Sequence, residues 1–222
     1  MKGKKNSKVF ILVFLGMLTA FGPFVTDMYL STLPAMSDYF HTTSSMVQLG
    51  LTASMIGLAA GQLLFGPLSD KYGRRLPLII SMALFAVATI GCIYSYTIMQ
   101  FVGWRLVQGI AGAGGIVISR SVAADKYAGR ELAKMLALIG AINGVAPVAA
   151  PMGGGFLAGS VGWIGIFWCL FVLGLILLWG SIHFEESLPV EARKLKSWKN
   201  VFLSFAEVLR NHRYVCYTLQ FG

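Results

Sequence analysis

The chain has 222 residues, 56% of them hydrophobic and only 12% charged, where an ordinary soluble domain is about a quarter charged. So much apolar surface excludes a soluble globular fold and makes the bilayer the solvent for most of the chain. The net charge of +9 does not indicate nucleic acid, because Lys and Arg fall in short clusters between long apolar runs, which is the pattern of membrane topology.

Lys2, Lys4, Lys5 and Lys8 precede a run from Val9 to Leu33. That run is too long for the core of a signal peptide and no small-residue cleavage site follows it, so it reads as an uncleaved first helix. About 20 apolar residues cross the hydrocarbon core as a helix. Six such runs are present, at roughly 9–33, 46–68, 76–96, 98–119, 135–158 and 163–182. The spacing therefore predicts an all-α integral membrane fold, a six-helix bundle over residues 1–182. A polar stretch follows, and at 183–212 it forms a linker in which Trp198, Val201, Phe202, Phe205 and Leu209 recur at helical spacing, as in an amphipathic surface helix. From Tyr214 to Gly222 a new apolar run begins, too short to span, so residues 213–222 read as the cut-off start of a seventh span.

Orientation follows from the basic residues. Of the 18 Lys and Arg, 17 lie at one set of connections: Lys2 to Lys8, Lys71 to Arg75, Arg120 to Lys134, and Arg193 to Arg213. The opposite connections, near 34–45, 94–98 and 159–162, hold none. The positive-inside rule makes the rich side cytoplasmic and predicts a cell-membrane protein with both ends of the bundle on the cytoplasmic side.

The remaining basic residue, Arg105, lies inside a span, as does the acid Asp27. Charge at that depth is costly and marks an interior face or a watery cavity. Counting along the helices places both roughly 10 Å below the outer surface, where they are expected to meet. Burial favours the neutral form of a carboxyl and a neighbouring arginine its charged form, so Asp27 is a candidate proton carrier with Arg105 as its partner. Phe24, Leu30 and Ser31 share the Asp27 face, Gln108, Gly109 and Gly112 share the Arg105 face, and with Asn143 they are expected to line one cavity.

Glycine and proline mark two further places. In the fifth span Gly144, Pro147, Pro151, Gly153 and Gly154 follow in close order, and the second span carries Gly57, Gly61, Gly66 and Pro67. Interrupted segments at corresponding positions of a 3+3 repeat point to a transporter. Between the second and third spans stands Gly66-Pro67-Leu68-Ser69-Asp70-Lys71-Tyr72-Gly73-Arg74-Arg75, with Gly73 giving the turn its freedom and Asp70 placed to favour the next helix N-terminus. Asp70 and Arg74 are expected to meet Asp125 at the inner end of the fourth span and latch the cytoplasmic side.

That loop resembles the cytoplasmic signature of the major facilitator superfamily, Gly-x-Leu-x-Asp-x-x-Gly-Arg-Arg. The stretch Arg105-Leu-Val-Gln108-Gly109-Ile-Ala-Gly112 is similar to a second signature, whose arginine is associated with proton transfer. Ala146-Pro147, Ala150-Pro151 and Gly153-Gly154 resemble the antiporter signature. Thr26-Asp27-Met28-Tyr29-Leu30-Ser31-Thr32-Leu33-Pro34 is similar to a string of the Bcr/CflA drug-resistance family, with Ser31 where that family usually has Pro. The resemblance implies one half of a twelve-helix fold working by alternating access, with the partnering six-helix half in the same longer chain or a second copy. It implies export of small amphipathic drugs, such as bicyclomycin or chloramphenicol, in exchange for protons, without a cofactor. A half-length protein without transport of its own, or a facilitator of another small solute, is the alternative. An enzyme finds no support: His41, His183 and His212 are isolated, no span holds paired acids, and Cys92, Cys169 and Cys216 show no metal or disulfide spacing.

Overall fold

The computed structural model describes residues 7–193, and within them the chain is helical. Helix α1 (Lys8–Leu30) starts where the Ser7 hydroxyl accepts the Phe10 amide at 3.1 Å. It stops three residues before the predicted end, and Pro34, in the first turn of the next helix, opens a short α2 (Leu33–Tyr39). Helices α3 (Ser44–Tyr72) and α5 (Ile98–Lys126) are capped by Thr43 and Thr97, and α4 (Arg75–Ile93) lies between them. Helix α6 runs from Gly129 to His183 and ends in a polar segment with one 3-10 turn, Val190–Ala192.

Helix α6 contains two of the predicted spans. Its 55 residues are more than twice the about 20 needed to cross, and the backbone leaves helical geometry at Gly162, φ 72°, a conformation that glycine adopts at little cost. The contacts of α1 show that the chain reverses there. Along the first arm, Glu131 meets Lys8, Ile142 meets Gly16 and Gly154 meets Met28, so this arm runs parallel to α1. Along the second, Phe167 meets Tyr29, Gly174 faces Phe21 and Gly180 packs on Phe14, so this arm runs antiparallel. Five helices among the described residues are long and apolar enough to cross a membrane, and α6 supplies two crossings. The six predicted spans are therefore present as α1, α3, α4, α5 and the two arms. Most of these helices extend past the span limits, because a helix does not end where the hydrocarbon does.

Helix α1 forms the centre of the core with α4, α5 and both arms, through Phe14, Leu18, Phe21, Phe85, Ile118 and Leu170. Below α2 a second, mainly aromatic cluster joins Tyr29, Phe101, Trp163 and Phe167. Helix α3 and the first arm are covered on one side only: Met55, Ile56, Leu63, Val145, Val148, Met152 and Phe156 are all exposed. The expected amphipathic helix at 198–209 and the beginning of a seventh span lie outside the described residues.

Candidate functional site

The turn between α3 and α4 is built around one buried arginine. Gly73 leaves the helix with φ +88°, which a side-chain-bearing residue rarely adopts. The turn carries Arg74 inward until it is only 6% exposed. Its guanidinium donates to Asp70 Oδ1 at 2.6 Å, to Ser69 Oγ at 2.8 Å and to Asp125 Oδ2 at 2.9 Å. Burial would lower the Arg74 pKa, but hydrogen bonds and charges from Asp125 and Asp70 more than offset this and hold it above its ordinary value. The expected trio of Asp70, Arg74 and Asp125 therefore does come together. Gly66 contributes its carbonyl, which accepts the Ser69 hydroxyl at 2.8 Å, while Arg75 reaches out to the Ile182 carbonyl at the end of the second arm.

A third carboxylate was not foreseen in this place. Glu186, beyond the sixth crossing, accepts the backbone amides of Arg74 and Arg75 at 2.8 and 3.2 Å. It thereby satisfies amides that the helix itself leaves free. Asp70, expected to favour that helix start, lies instead in the last turn of α3 with its carboxylate on Arg74. Glu186 also pairs with Arg193 at 3.8 Å, and Ser187 donates to Asp125 at 3.0 Å. The polar stretch after the sixth crossing is thus tied to the α3–α4 turn. In the sequence Glu185 and Glu186 are two acids in a linker, and nothing local singles out Glu186.

Deeper in the bundle, Arg105 is fully buried, and no carboxylate is paired with it among the described residues. It donates to Gln108 Oε1 at 2.6 Å and to the Val25 carbonyl at 3.1 Å. Its charge lies 4.6 Å from the centre of the Tyr29 ring and 5.8 Å from that of Phe167, within the range of cation–π attraction. The expected meeting with Asp27 does not occur. Depth along α1 is right and azimuth is wrong: Val25 faces Arg105, and Asp27, two residues on, is turned by about 200°. Asp27 is half-buried and accepts the Thr26 hydroxyl at 2.9 Å.

The single expected cavity divides the same way. Gln108 donates to Thr89 at 2.7 Å within the core. Gly109 presses on the Ser54 backbone of α3, and Gly112 is buried beside Phe85. The two glycines lie in helix contacts because their small size lets α3, α4 and α5 approach. On the open side of α1, Phe24 lines an apolar cavity of about 520 Å³ with Met17, Ile142, Val145 and Leu173. Ser31 donates to the Pro151 carbonyl at 3.4 Å, and Leu30 is 43% exposed. On the first arm Asn143 and Gly153 are half-buried and Gly144 and Pro147 exposed. Gly154 is buried against α1, where a Cβ would lie 2.9 Å from the Met28 carbonyl oxygen.

Over residues 10–222 the chain matches the family model of the Major Facilitator Superfamily. The chain belongs to this superfamily. It is 38% identical over 211 residues to an uncharacterized MFS-type transporter, YdgK, of Bacillus subtilis, covering 94% of this chain and 52% of the relative. It is 30% identical over 176 residues to a bicyclomycin resistance protein homolog of Haemophilus influenzae, covering 79% of this chain and 44% of the relative. A crystal structure of a D-xylose-proton symporter superposes with a TM-score of 0.72 at 17% identity, over 91% of this chain and 53% of that one. The chain spans about half the length of the curated relatives it matches. It is therefore a multi-pass membrane protein of the superfamily's transporter fold, and its six crossings correspond in extent to one half of such a transporter.

Proposed function

We propose that this chain is the N-terminal half of a proton-coupled exporter of small drug-like molecules, acting in a cell membrane with the basic end of the bundle in the cytoplasm. The observation that carries the reading is the position of Asp27. Among the described residues it is the acid within a membrane-crossing segment, half-buried on the side of α1 turned away from the helix core. Such an acid is a functional residue by default. Drug-like substrates are supported by the bicyclomycin resistance homolog and by the strongly apolar cavity beside Phe24.

In this reading Arg74, Asp70 and Asp125 latch the cytoplasmic side while the cavity faces outward, and breaking the latch opens it inward. Arg105 does not share the Asp27 proton directly. It holds α1, α5 and the outer aromatic cluster in register, while Asp27 takes up and releases the proton on the open face. Pro147, Pro151 and Gly154 keep the first arm close to that face. A six-helix partner half covers the exposed sides of α3 and the first arm. The test is drug-triggered proton release and uphill efflux, measured in vesicles holding the full chain. Uptake or efflux that runs only downhill and leaves proton flux unchanged would refute the coupling.

A further inference from the structure

A crevice at the basic end of the bundle has no role in the latch or in proton transfer. It lies between the first turns of α1 and of α6 and has a volume of about 240 Å³. That is below the roughly 300–1,000 Å³ of pockets for drug-sized ligands. Lys8, Glu131 and Lys134 form its rim with Tyr127, and Leu12 and Met135 lie on its wall. Leu12 and Met135 stand one turn further into the membrane than Lys8 and Glu131, about 6 Å. From the surface inward the crevice presents Lys8 and Glu131 first and then, about one turn down, Lys134 beside Leu12 and Met135, so its polar and apolar linings meet where a phospholipid passes from phosphate to acyl chain.

We propose that this crevice binds the headgroup of one anionic phospholipid, its phosphate held between Lys8 and Lys134. Among the described residues the rim carries two lysines against one carboxylate, a net charge of +1, which one phosphodiester monoanion balances. Lys8 now lies 3.5 Å from Glu131, with the two side chains 77% and 69% exposed. An ion pair so exposed contributes little, so Lys8 is free to exchange Glu131 for a phosphate. Basic pockets between helices at the cytoplasmic surface recognise such headgroups. Leu12 and Met135 offer the upper acyl chain an apolar contact in place of water. The site stands whether or not the protein exports drugs.

The test titrates the full chain in neutral detergent with phosphatidylglycerol, phosphatidylethanolamine and inorganic phosphate, read by native mass spectrometry and thermal shift. Phosphatidylglycerol should stay bound and raise the melting temperature, with phosphatidylethanolamine weaker and phosphate inert. Replacing both lysines, Lys8→Gln with Lys134→Gln, should weaken phosphatidylglycerol roughly thirty-fold. Glu131→Gln removes the competing carboxylate and should tighten binding, an effect of opposite sign that misfolding cannot mimic. Equal binding of the two lipids, unchanged binding in the double-lysine variant, or looser binding in Glu131→Gln would each overturn the proposal. Binding of inorganic phosphate as tight as that of the lipid would overturn the lipid as its source.

Discussion

Two arginines, Arg74 and Arg105, are buried to 6% and 0% exposure, and they are satisfied in opposite ways. Arg74, at the end of the bundle, is held by two carboxylates and a hydroxyl. Arg105, within the membrane, is held by a side-chain amide, a main-chain carbonyl and two aromatic faces. The difference follows from the solvent. Near water, a carboxylate costs little to supply and its charge can answer that of the arginine. In the hydrocarbon, each added ion carries its own desolvation cost, so dipoles and π faces answer the charge instead. The deeper cation is therefore the one that leaves no stranded anion when removed.

Arg74→Met should have the largest effect on stability. It leaves Asp70 and Asp125 without their counter-charge, a loss of about 2–3 kcal/mol once their partial exposure is allowed for. Arg105→Met removes two buried hydrogen bonds but strands no carboxylate, and should cost less, about 1–2 kcal/mol for those bonds. Thermal unfolding of both variants in one detergent ranks them, and Arg105→Met emerging as the more destabilised would break the comparison. Glu186→Ala sharpens it from the other side. The amides of Arg74 and Arg75 lose their acceptor, at a cost of about 1 kcal/mol, the usual value of a helix cap. Unfolding should show that loss, and hydrogen exchange should rise at the start of α4 before it rises elsewhere.

What the sequence made legible depends on the dimension in which it was read. Length and hydropathy placed all six crossings, because a bilayer of fixed thickness imposes a count of residues. The Asp70–Arg74–Asp125 cluster was legible because Asp70 and Arg74 are four residues apart beside a turn that Gly73 forces. Azimuth was not legible. Asp27 and Arg105 are at matching depth, but which side of α1 each neighbour takes is set by where α5 and α6 pack, and that is a tertiary fact. The same gap hid Tyr29, whose ring faces Arg105 while its hydroxyl donates to the Val47 carbonyl at 2.6 Å. Glu186 was hidden because it reaches more than a hundred residues back along the chain to the amides it caps.

Asp27→Asn should have the smallest effect on stability and the largest on coupling. If Asp27 were the counter-ion of Arg105, neutralising it would leave a buried cation unanswered, with a loss of about 3–5 kcal/mol. The structure gives it no such part: its carboxylate accepts the neighbouring Thr26 hydroxyl, an acceptor that the Asn amide oxygen replaces. The expected stability change is under about 0.5 kcal/mol, the range of substitutions away from buried networks. A double-mutant cycle with Arg105→Met should then show additivity, because the two side chains share no partner. Proton-driven efflux in vesicles should nevertheless be lost in Asp27→Asn, while the variant still inserts and binds neutral drugs. A coupling energy well above the error of the cycle would mean that the two residues do pair during transport. Intact uphill efflux would instead remove Asp27 as the proton carrier of the proposed exporter.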